Sequence, residues 1–483
     1  VLEALSNQPY PYDQLVEKLK LGNNNSLLDV MFVYQNISKN DFNINNHKIE
    51  GISSSNKFSK FNLLLEIQPS NNLLSFEYNT SLFKTDTITS LLEHYIFILN
   101  QIISNINIKI TDIEIITDKE KQLLEKFNNT YVEPNNDTII SLFENQVKEN
   151  KDNIALICND WYMTYNQLNE KVNSLAHHLI NKGIKNNDIV CIMTNRSFET
   201  IISMLAILKA GAAFFNVDPT YPIDRTNYYI EDSNVQFVLT QRSLRDLVSN
   251  IKNCIEIDLD NETIYSKHYD NPNIHHNPTD LSYIIYTSGS TGVPKGVMLN
   301  QIGFANMAKA MTLVLDYLKD GNKQTLLSVT STPFDIFVYE IFVSLTHGLR
   351  VVMANNAEHR NPLLLENLIQ KHSVTAMTVT PSLMKIIYDN RSSDAALSKV
   401  KNMVFGGEPL SEKFVKDLKN LASDITVYNI YGPSEISVLS NVQNLDGEKE
   451  LTVGPPIMNT QMYILDPNMK QVPIGVKGEI TIA

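Results

Sequence analysis

Apolar and polar positions along the chain follow two successive rhythms. In the first 115 or so residues a helical pattern (YDQLVEKLK) precedes strand-like runs (LLDVMFVYQNI, FNLLLEIQ, LLSFEYN), and a long helix is expected from about Ile88 to Ile103. This mixture predicts an α+β unit. Between about Asp118 and Asp137 a charged helix runs into NNTYVEPNND, whose Asn, Pro and Asp residues favour turns and leave little to bury. A domain boundary is expected there, dividing the chain into a first unit over 1–117, a linker over 118–137 and a second unit over 138–483. Beyond it apolar runs and helices alternate: DIVCIMTN, the helix SFETIISMLAILKAG, AAFFNVD, the helix IDRTNYYIEDS, then VQFVLTQ. Such alternation predicts an α/β fold, with parallel sheets covered by helices and ligands at the carboxyl ends of the strands.

Composition narrows the class. A chain of 483 residues exceeds one ordinary core, and 43% apolar with 19% charged residues is a globular composition. Fifty-three acidic against forty basic residues give a net charge of −13 with no Lys/Arg block, so a nucleic-acid partner is not expected. Cys158, Cys191 and Cys254 share no metal-type spacing, and the first two lie in apolar runs as buried thiols, which fits a reducing cytoplasm. No run reaches the roughly 18 apolar residues of a membrane span, because HYIFILNQIISNI is broken by Asn100, Gln101 and Asn105. No membrane partner is expected. The first residues lack a start Met and a basic leader and the last, GEITIA, stop inside a strand-like run, so both ends are expected to be cut.

The stretch with the most chemistry is LSYIIYTSGSTGVPKG, Leu281 to Gly296. A strand is expected to enter a loop of Thr287, Ser288, Gly289, Ser290, Thr291, Gly292 and Lys295, with the amphipathic helix MLNQIGFANMAKAM after it. Glycines turn successive N–H groups toward one concavity, the hydroxyls add donors, and Lys295 adds a full charge, a combination suited to a di- or triphosphate. The Walker pattern is not met, since Pro294 precedes Lys295 and Gly296 follows it.

This loop resembles the phosphate loop of the adenylate-forming enzymes. Residues 163–169 (MTYNQLN), 208–222 (LKAGAAFFNVDPTYP), 334–342 (FDIFVYEIF) and 429–435 (NIYGPSE) resemble, in order, the core motifs of the adenylation domains of non-ribosomal peptide synthetases. One departure is Asn216 and Val217 ahead of Asp218, which is expected to alter packing more than chemistry. The N-terminal stretches QPYPYDQLVEKL, SLLDVMFVYQN and YNTSLFKTDTI resemble the C-terminal lobe of a condensation domain, whose His-His-x-x-x-Asp-Gly site the chain lacks. HHNPTDL, from His275, matches that spacing by coincidence, with Leu281 in place of glycine. His177 and His178 are ordinary helix residues.

The resemblance implies a multidomain α/β protein, an α+β condensation-domain lobe followed by an adenylation core. It also implies roles. The loop from Thr287 to Lys295 would cradle the β and γ phosphates of ATP, with Thr287, Ser288 and Lys295 acting in catalysis. Tyr431 would stack on adenine with Asn429 at its edge and Gly432 beside it, Gly406 and Gly407 would let backbone approach the base, and Glu435 would act in catalysis by holding Mg²⁺. Ser434 stands where the family usually has Thr. Asp335 would pair with the α-ammonium of an amino acid. Its side chain would be received by Ile336, Tyr339, Thr378, Val404, Gly406, Ile430, Val438 and Leu439, an uncharged pocket suited to an apolar group. Gly406 leaves depth that favours an aromatic over a branched aliphatic, while Tyr339 and Thr378 could each meet a hydroxyl. The product would be an aminoacyl-adenylate with release of pyrophosphate. A peptidyl carrier protein bearing phosphopantetheine would take the aminoacyl group, and the rest of the condensation domain and neighbouring synthetase modules would be partners. Two other readings are an acyl-CoA or aryl-acid ligase, against which Asp335 and the condensation lobe weigh, and a non-catalytic scaffold, against which the retained residue types weigh. The ribose-binding Asp, the hinge and the subdomain with the catalytic lysine are expected after Ala483, so this stretch is expected to bind better than it turns over.

Overall fold

Short side chains that accept hydrogen bonds fix where the helices of the second half begin. In the computed structural model Thr138 and Thr164 close reciprocal capping boxes with Ser141 and Gln167, and Asn300, Thr380 and Ser411 each cap a helix by accepting a backbone N–H. The structure describes residues 9–19, 28–35, 43–44, 47–48, 58–133, 136–249, 251, 254–265, 267–288, 292–447 and 450–483. Two compact units emerge, Val1–Lys126 with Tyr463–Thr481, and Phe127–Met462 with Ile482–Ala483.

In the first unit helix α1 (Tyr12–Lys18) precedes a three-stranded sheet of β1 (Val30–Tyr34), β2 (Leu63–Gln68) and β3 (Leu73–Tyr78), with β1 parallel and β3 antiparallel to β2. Helix α2 (Thr85–Ser104) follows and buries Ile88 and His94. The His94 ring hydrogen-bonds to Glu120 of α3 (Asp118–Phe127).

The second unit opens with α4 (Ile139–Glu149), the hairpin β4 (Ile154–Cys158) and β5 (Trp161–Thr164), and α5 (Tyr165–Asn181). The expected alternation then appears as β6 (Ile189–Met193), α6 (Phe198–Lys209), β7 (Ala213–Asn216), α7 (Ile223–Asp232), β8 (Phe237–Thr240) and β9 (Ile255–Asp258). Strand β10 (Leu281–Ser288) turns back as β11 (Pro294–Asn300) and leads into α8 (Gln301–Val314). Next come β12 (Thr325–Ser328), α9 (Asp335–Thr346), β13 (Arg350–Met353), α10 (Pro362–His372), β14 (Ala376–Val379) and α11 (Pro381–Asn390). After these come β15 (Asn402–Phe405), α12 (Glu412–Leu421), β16 (Thr426–Tyr431) and β17 (Asn441–Asn444).

These strands form a six-stranded sheet in the order β9-β8-β6-β7-β10-β11 and an eight-stranded sheet in the order β17-β16-β15-β14-β12-β13-β4-β5, both mainly parallel. One core joins the inner faces of both sheets with α4, α5, α6, α8 and α9, a second packs α10, α11 and α12 on the outer face of the larger sheet, and a third packs α7 on the smaller. Central strands such as β7, β12 and β14 are buried on both faces, as parallel strands under two helical layers must be.

Helix α6 ends in a lysine inside this core. Lys209, 1% exposed, pairs with Glu144 at 2.8 Å and donates to the Oδ1 atoms of Asn169, Asn173 and Asn271 at 2.8–2.9 Å, so its charge is matched where burial alone would be costly. Asn216, the departure in the same motif, donates to the Thr332 carbonyl at 3.0 Å and so ties β7 to the loop that leads to α9. Cys158 and Cys191 are buried, and burial pushes the Cys158 thiol up to about 11. Asp280 of HHNPTDL holds a turn by accepting the Asn277 N–H and the Asn187 amide, as expected of a coincidental match. No described helix is long and apolar enough to cross a membrane.

One expectation fails locally. The chain after the phosphate loop continues as strand β11, antiparallel to β10, and the helix starts only at Gln301. Val297 and Leu299 alternate with polar or exposed neighbours along a strand, and Asn300, by accepting the Gly303 N–H at 3.0 Å, sets the helix start there.

Candidate functional site

The carboxyl ends of β12, β14, β15 and β16 lie side by side in the eight-stranded sheet, and the residues singled out from the sequence gather on the segments that leave them. From β12 the chain runs to Asp335, the first residue of α9, and from β15 to Gly406 and Gly407. Thr378 lies within β14, and β16 ends in Tyr431, followed by Gly432 to Glu435.

Asp335 is half-buried. Its Oδ1 accepts the Ile336 N–H at 2.8 Å and its Oδ2 accepts the Ser434 hydroxyl at 3.3 Å, a contact joining two motifs 99 residues apart. Burial holds its carboxyl above the usual carboxylate range, against these two neutral donors. Tyr283, a phenol of β10 buried against Phe214 and Phe304, is raised first by burial and then by the Asp335 carboxylate, which places it within electrostatic reach of the site.

The loop after β16 is folded tightly. Gly432 sits so near the returning chain that a Cβ would meet Leu439 Cα at 2.4 Å and the Val438 carbonyl at 2.6 Å. Three-residue turns, with Val438 N–H donating to Ile436 and Leu439 N–H to Ser437, bring the chain back, and Val438 holds φ at +68°, a strained value for a β-branched residue. This fold-back buries Val438 and Leu439 beside the sheet and leaves Glu435 exposed at its tip. Tyr431 and Asn429 are half-buried, and Asn429 donates to the Thr452 carbonyl at 2.7 Å.

Around Asp335, Ile336 is half-buried, and Tyr339, Thr378, Val404, Ile430, Val438 and Leu439 are all buried. The register places Thr378 beside Val404 and Val404 beside Tyr428, a row across three strands whose side chains face α9. Gly406 sits tightly against Ile430: a Cβ there would meet Ile430 Cγ1 at 2.6 Å. Gly407, at φ +78°, lies close to Ile336, whose Cδ1 would sit 3.1 Å from an added Cβ. The hydroxyls of Tyr339 and Thr378 have no hydrogen-bond partner among the described residues, a condition that costs about 1–3 kcal/mol for each buried polar group.

The phosphate stretch is a hairpin at the edge of the other sheet. Lys295 stands opposite Thr287 and Pro294 opposite Ser288, so these four residues lie on paired strands and not in one long loop. Lys295 and Ser288 are exposed, Thr287 is half-buried, and Gly292 has φ +82°. The Tyr228 hydroxyl donates to the Pro294 carbonyl at 2.8 Å and Tyr286 donates to Asp232 at 2.8 Å while stacking on Tyr229, which anchors the hairpin base. Gly289, Ser290 and Thr291 lie outside the described residues. A separate cavity of about 740 Å³ beside α8 shares Glu435 and Leu439 with the site.

Two buried charges beneath the site escaped the sequence reading. Arg196 donates to the carbonyls of Ala354 at 2.6 Å, Ser328 at 2.9 Å and Thr330, and Glu340 accepts from the hydroxyls of Ser328 and Thr330, both at 2.5 Å. Together they hold the segment that leads from β12 to Asp335. The signal was a glutamate inside IFVYEIF, Ile336 to Phe342, a run with no other charge.

Comparison with known proteins extends this picture. Residues 143–483 match the family of AMP-binding enzymes and residues 1–125 match the condensation domain. Over its whole length the chain is 36% identical to gramicidin S synthase 2 of Brevibacillus brevis and to tyrocidine synthase 3 of Brevibacillus parabrevis, and spans 11% and 8% of those proteins. Among solved structures it is similar to the non-ribosomal peptide synthetase FmoA3 in its α-methyl-L-serine-AMP bound form, with a TM-score of 0.85 and 19% identity over 98% of this chain and 54% of that one. It is also similar to a four-domain non-ribosomal peptide synthetase bound to AMP and glycine, with a TM-score of 0.84 and 22% identity over the full chain and 37% of its counterpart.

Proposed function

The chain belongs to the AMP-binding enzyme family, with a condensation-domain stretch ahead of it as in non-ribosomal peptide synthetases, and on that footing we propose that it activates an α-amino acid with ATP. A carboxylate oxygen of the amino acid attacks the α-phosphorus, the bond to the β-phosphate oxygen breaks, and pyrophosphate leaves with the electron pair, giving an aminoacyl-adenylate. The observation that carries this reading is Asp335, a carboxylate drawn into an apolar helix start with neutral donors only, which an α-ammonium would complete.

In this reading Thr287, Ser288, Gly289, Ser290, Thr291, Gly292 and Lys295 receive the β and γ phosphates, and Tyr431 stacks on adenine with Asn429, Gly407 and Gly432 at its edge. One exposed carboxylate suits Mg²⁺, which keeps most of its waters, so Glu435 would hold it against the phosphates, where the ion supplies charge neutralisation. The aminoacyl group then passes to the phosphopantetheine thiol of a carrier domain, in a cytoplasmic assembly. A condensation lobe over 1–117, a linker over 118–137 and an adenylating core over 138–483 is the organisation that accompanies this reading.

Amino-acid-dependent exchange of labelled pyrophosphate into ATP by the full-length protein tests it. Exchange is expected with one or a few α-amino acids and not with their desamino analogues. Preference for a fatty or aryl acid would make the protein an acyl ligase, and silence with every acid would make it a scaffold. Lys295→Ala is expected to lower exchange roughly 10- to 100-fold, the scale of a lost charge-assisted hydrogen bond, with the melting temperature unmoved because the residue is exposed on an edge strand.

A further inference from the structure

We infer that the amino acid activated here carries a short, uncharged side chain ending in a hydrogen-bonding group, a hydroxyl or a carboxamide, received by Tyr339 and Thr378. The inference rests on the assignment of Asp335 to the α-ammonium.

Asp335 and Tyr339 are one turn apart on α9, so they share a helix face about 5–6 Å apart. A ligand anchored at Asp335 meets Tyr339 after a few bonds. Thr378 faces the same space: along β14, Ala376 belongs to the core between the sheets while Met377 and Val379 belong to the outer one, so the alternation points Thr378 inward, beside Val404. The phenol and the hydroxyl, on residues no more than 1% exposed, are both without partners among the described residues.

Other buried hydroxyls share that condition, those of Tyr265 and Tyr283 among them, while Ser174, Ser203 and Ser344 stand on helices, where a χ1 rotation offers the carbonyl four residues back. Thr378 is mid-strand between β12 and β15, whose facing backbone groups are engaged in the ladder, and the Tyr339 hydroxyl is fixed at the end of a rigid ring. A ligand atom that both donates and accepts satisfies them.

Length and charge are limited by the walls. Ile430 lies over Gly406 so closely that there is no room for a Cβ between them. Val404, Ile430, Val438 and Leu439 surround the row with apolar surface, which excludes an ionised group.

Dissociation constants for non-hydrolysable aminoacyl-sulfamoyl adenosines, measured by calorimetry in near-isosteric pairs, test the inference: threonyl against valyl and asparaginyl against leucyl, with phenylalanyl and glycyl analogues alongside. The polar member of at least one pair is expected to bind at least about tenfold more tightly than its apolar partner, because a site with orphaned polar groups rejects the analogue that leaves them unpaired. Tyr339→Phe and Thr378→Val are each expected to shrink that preference. Equal or tighter binding of the apolar member in both pairs, or tightest binding of the phenylalanyl analogue, would overturn the inference and leave amino-acid activation standing. Failure of every analogue, glycyl included, would instead sink the activation reading itself.

Discussion

Asp335→Asn is expected to weaken binding of an aminoacyl-sulfamoyl adenosine at least about thirtyfold and, in the same protein without ligand, to raise the melting temperature. The two effects have one origin. The Asp335 carboxyl is held above its ordinary range by burial, with only the Ile336 N–H and the Ser434 hydroxyl to offset the loss of water. A group whose folded value is raised favours folding fully below its unfolded value of about 3.9, and that contribution is lost as pH rises through the folded value. At neutral pH the ionised carboxylate is therefore a cost to the unliganded fold. Asparagine keeps an Oδ1 for Ile336 and a group for Ser434, and carries no charge. With ligand bound the balance reverses, since an α-ammonium paired with a partly buried carboxylate contributes about 2–5 kcal/mol, the lower end of which is about thirtyfold in affinity. The desamino analogue should bind both proteins alike, and affinity for the amino compound should rise with pH as Asp335 ionises. A variant that binds the two analogues with wild-type affinities, or that melts lower, would remove Asp335 from this role.

The alternation of apolar runs and helices from Asp188 to Thr240 was legible because each central strand is buried on both faces and each helix carries a continuous apolar stripe. Family and fold class were likewise legible, the motifs being local strings. What escaped lies at longer range. The hairpin return at Val297 and Leu299 reads equally well as the start of the following helix, and only the cap at Asn300 separates the two. The pocket residues could be named one by one, but the close approach of Ile430 to Gly406 depends on the rotamer of a residue on the next strand. The contact between Ser434 and Asp335 spans 99 residues, and no local pattern encodes it.

The pair beneath that contact sets the second large effect. Arg196→Met is expected to destabilise the protein by about 3–5 kcal/mol, the cost of leaving a buried charge without its partner, read as the loss of far-ultraviolet ellipticity in urea. Three carbonyls, of Ser328, Thr330 and Ala354, lose a donor, and Glu340, which shares Ser328 and Thr330 with the arginine, is left with two hydroxyls and the Thr330 N–H, all neutral donors. Burial raises the Glu340 carboxyl to about 7 even with the arginine near, and burial lowers Arg196 to about 10. The sign follows from the direction. Glu340 stabilises the fold fully below about 4.5, and that contribution, on the order of 3 kcal/mol, is lost as pH rises through about 7. Wild-type stability should therefore fall between pH 5 and pH 8, Glu340→Gln should flatten the profile, and Arg196→Met should move the fall to higher pH. A profile equally steep in wild type and Glu340→Gln would show that the slope comes from elsewhere. Because Ser328 and Thr330 lead straight to Asp335, Arg196→Met should also weaken amino-acid binding while adenosine nucleotides bind as before, since the arginine acts through the position of that segment.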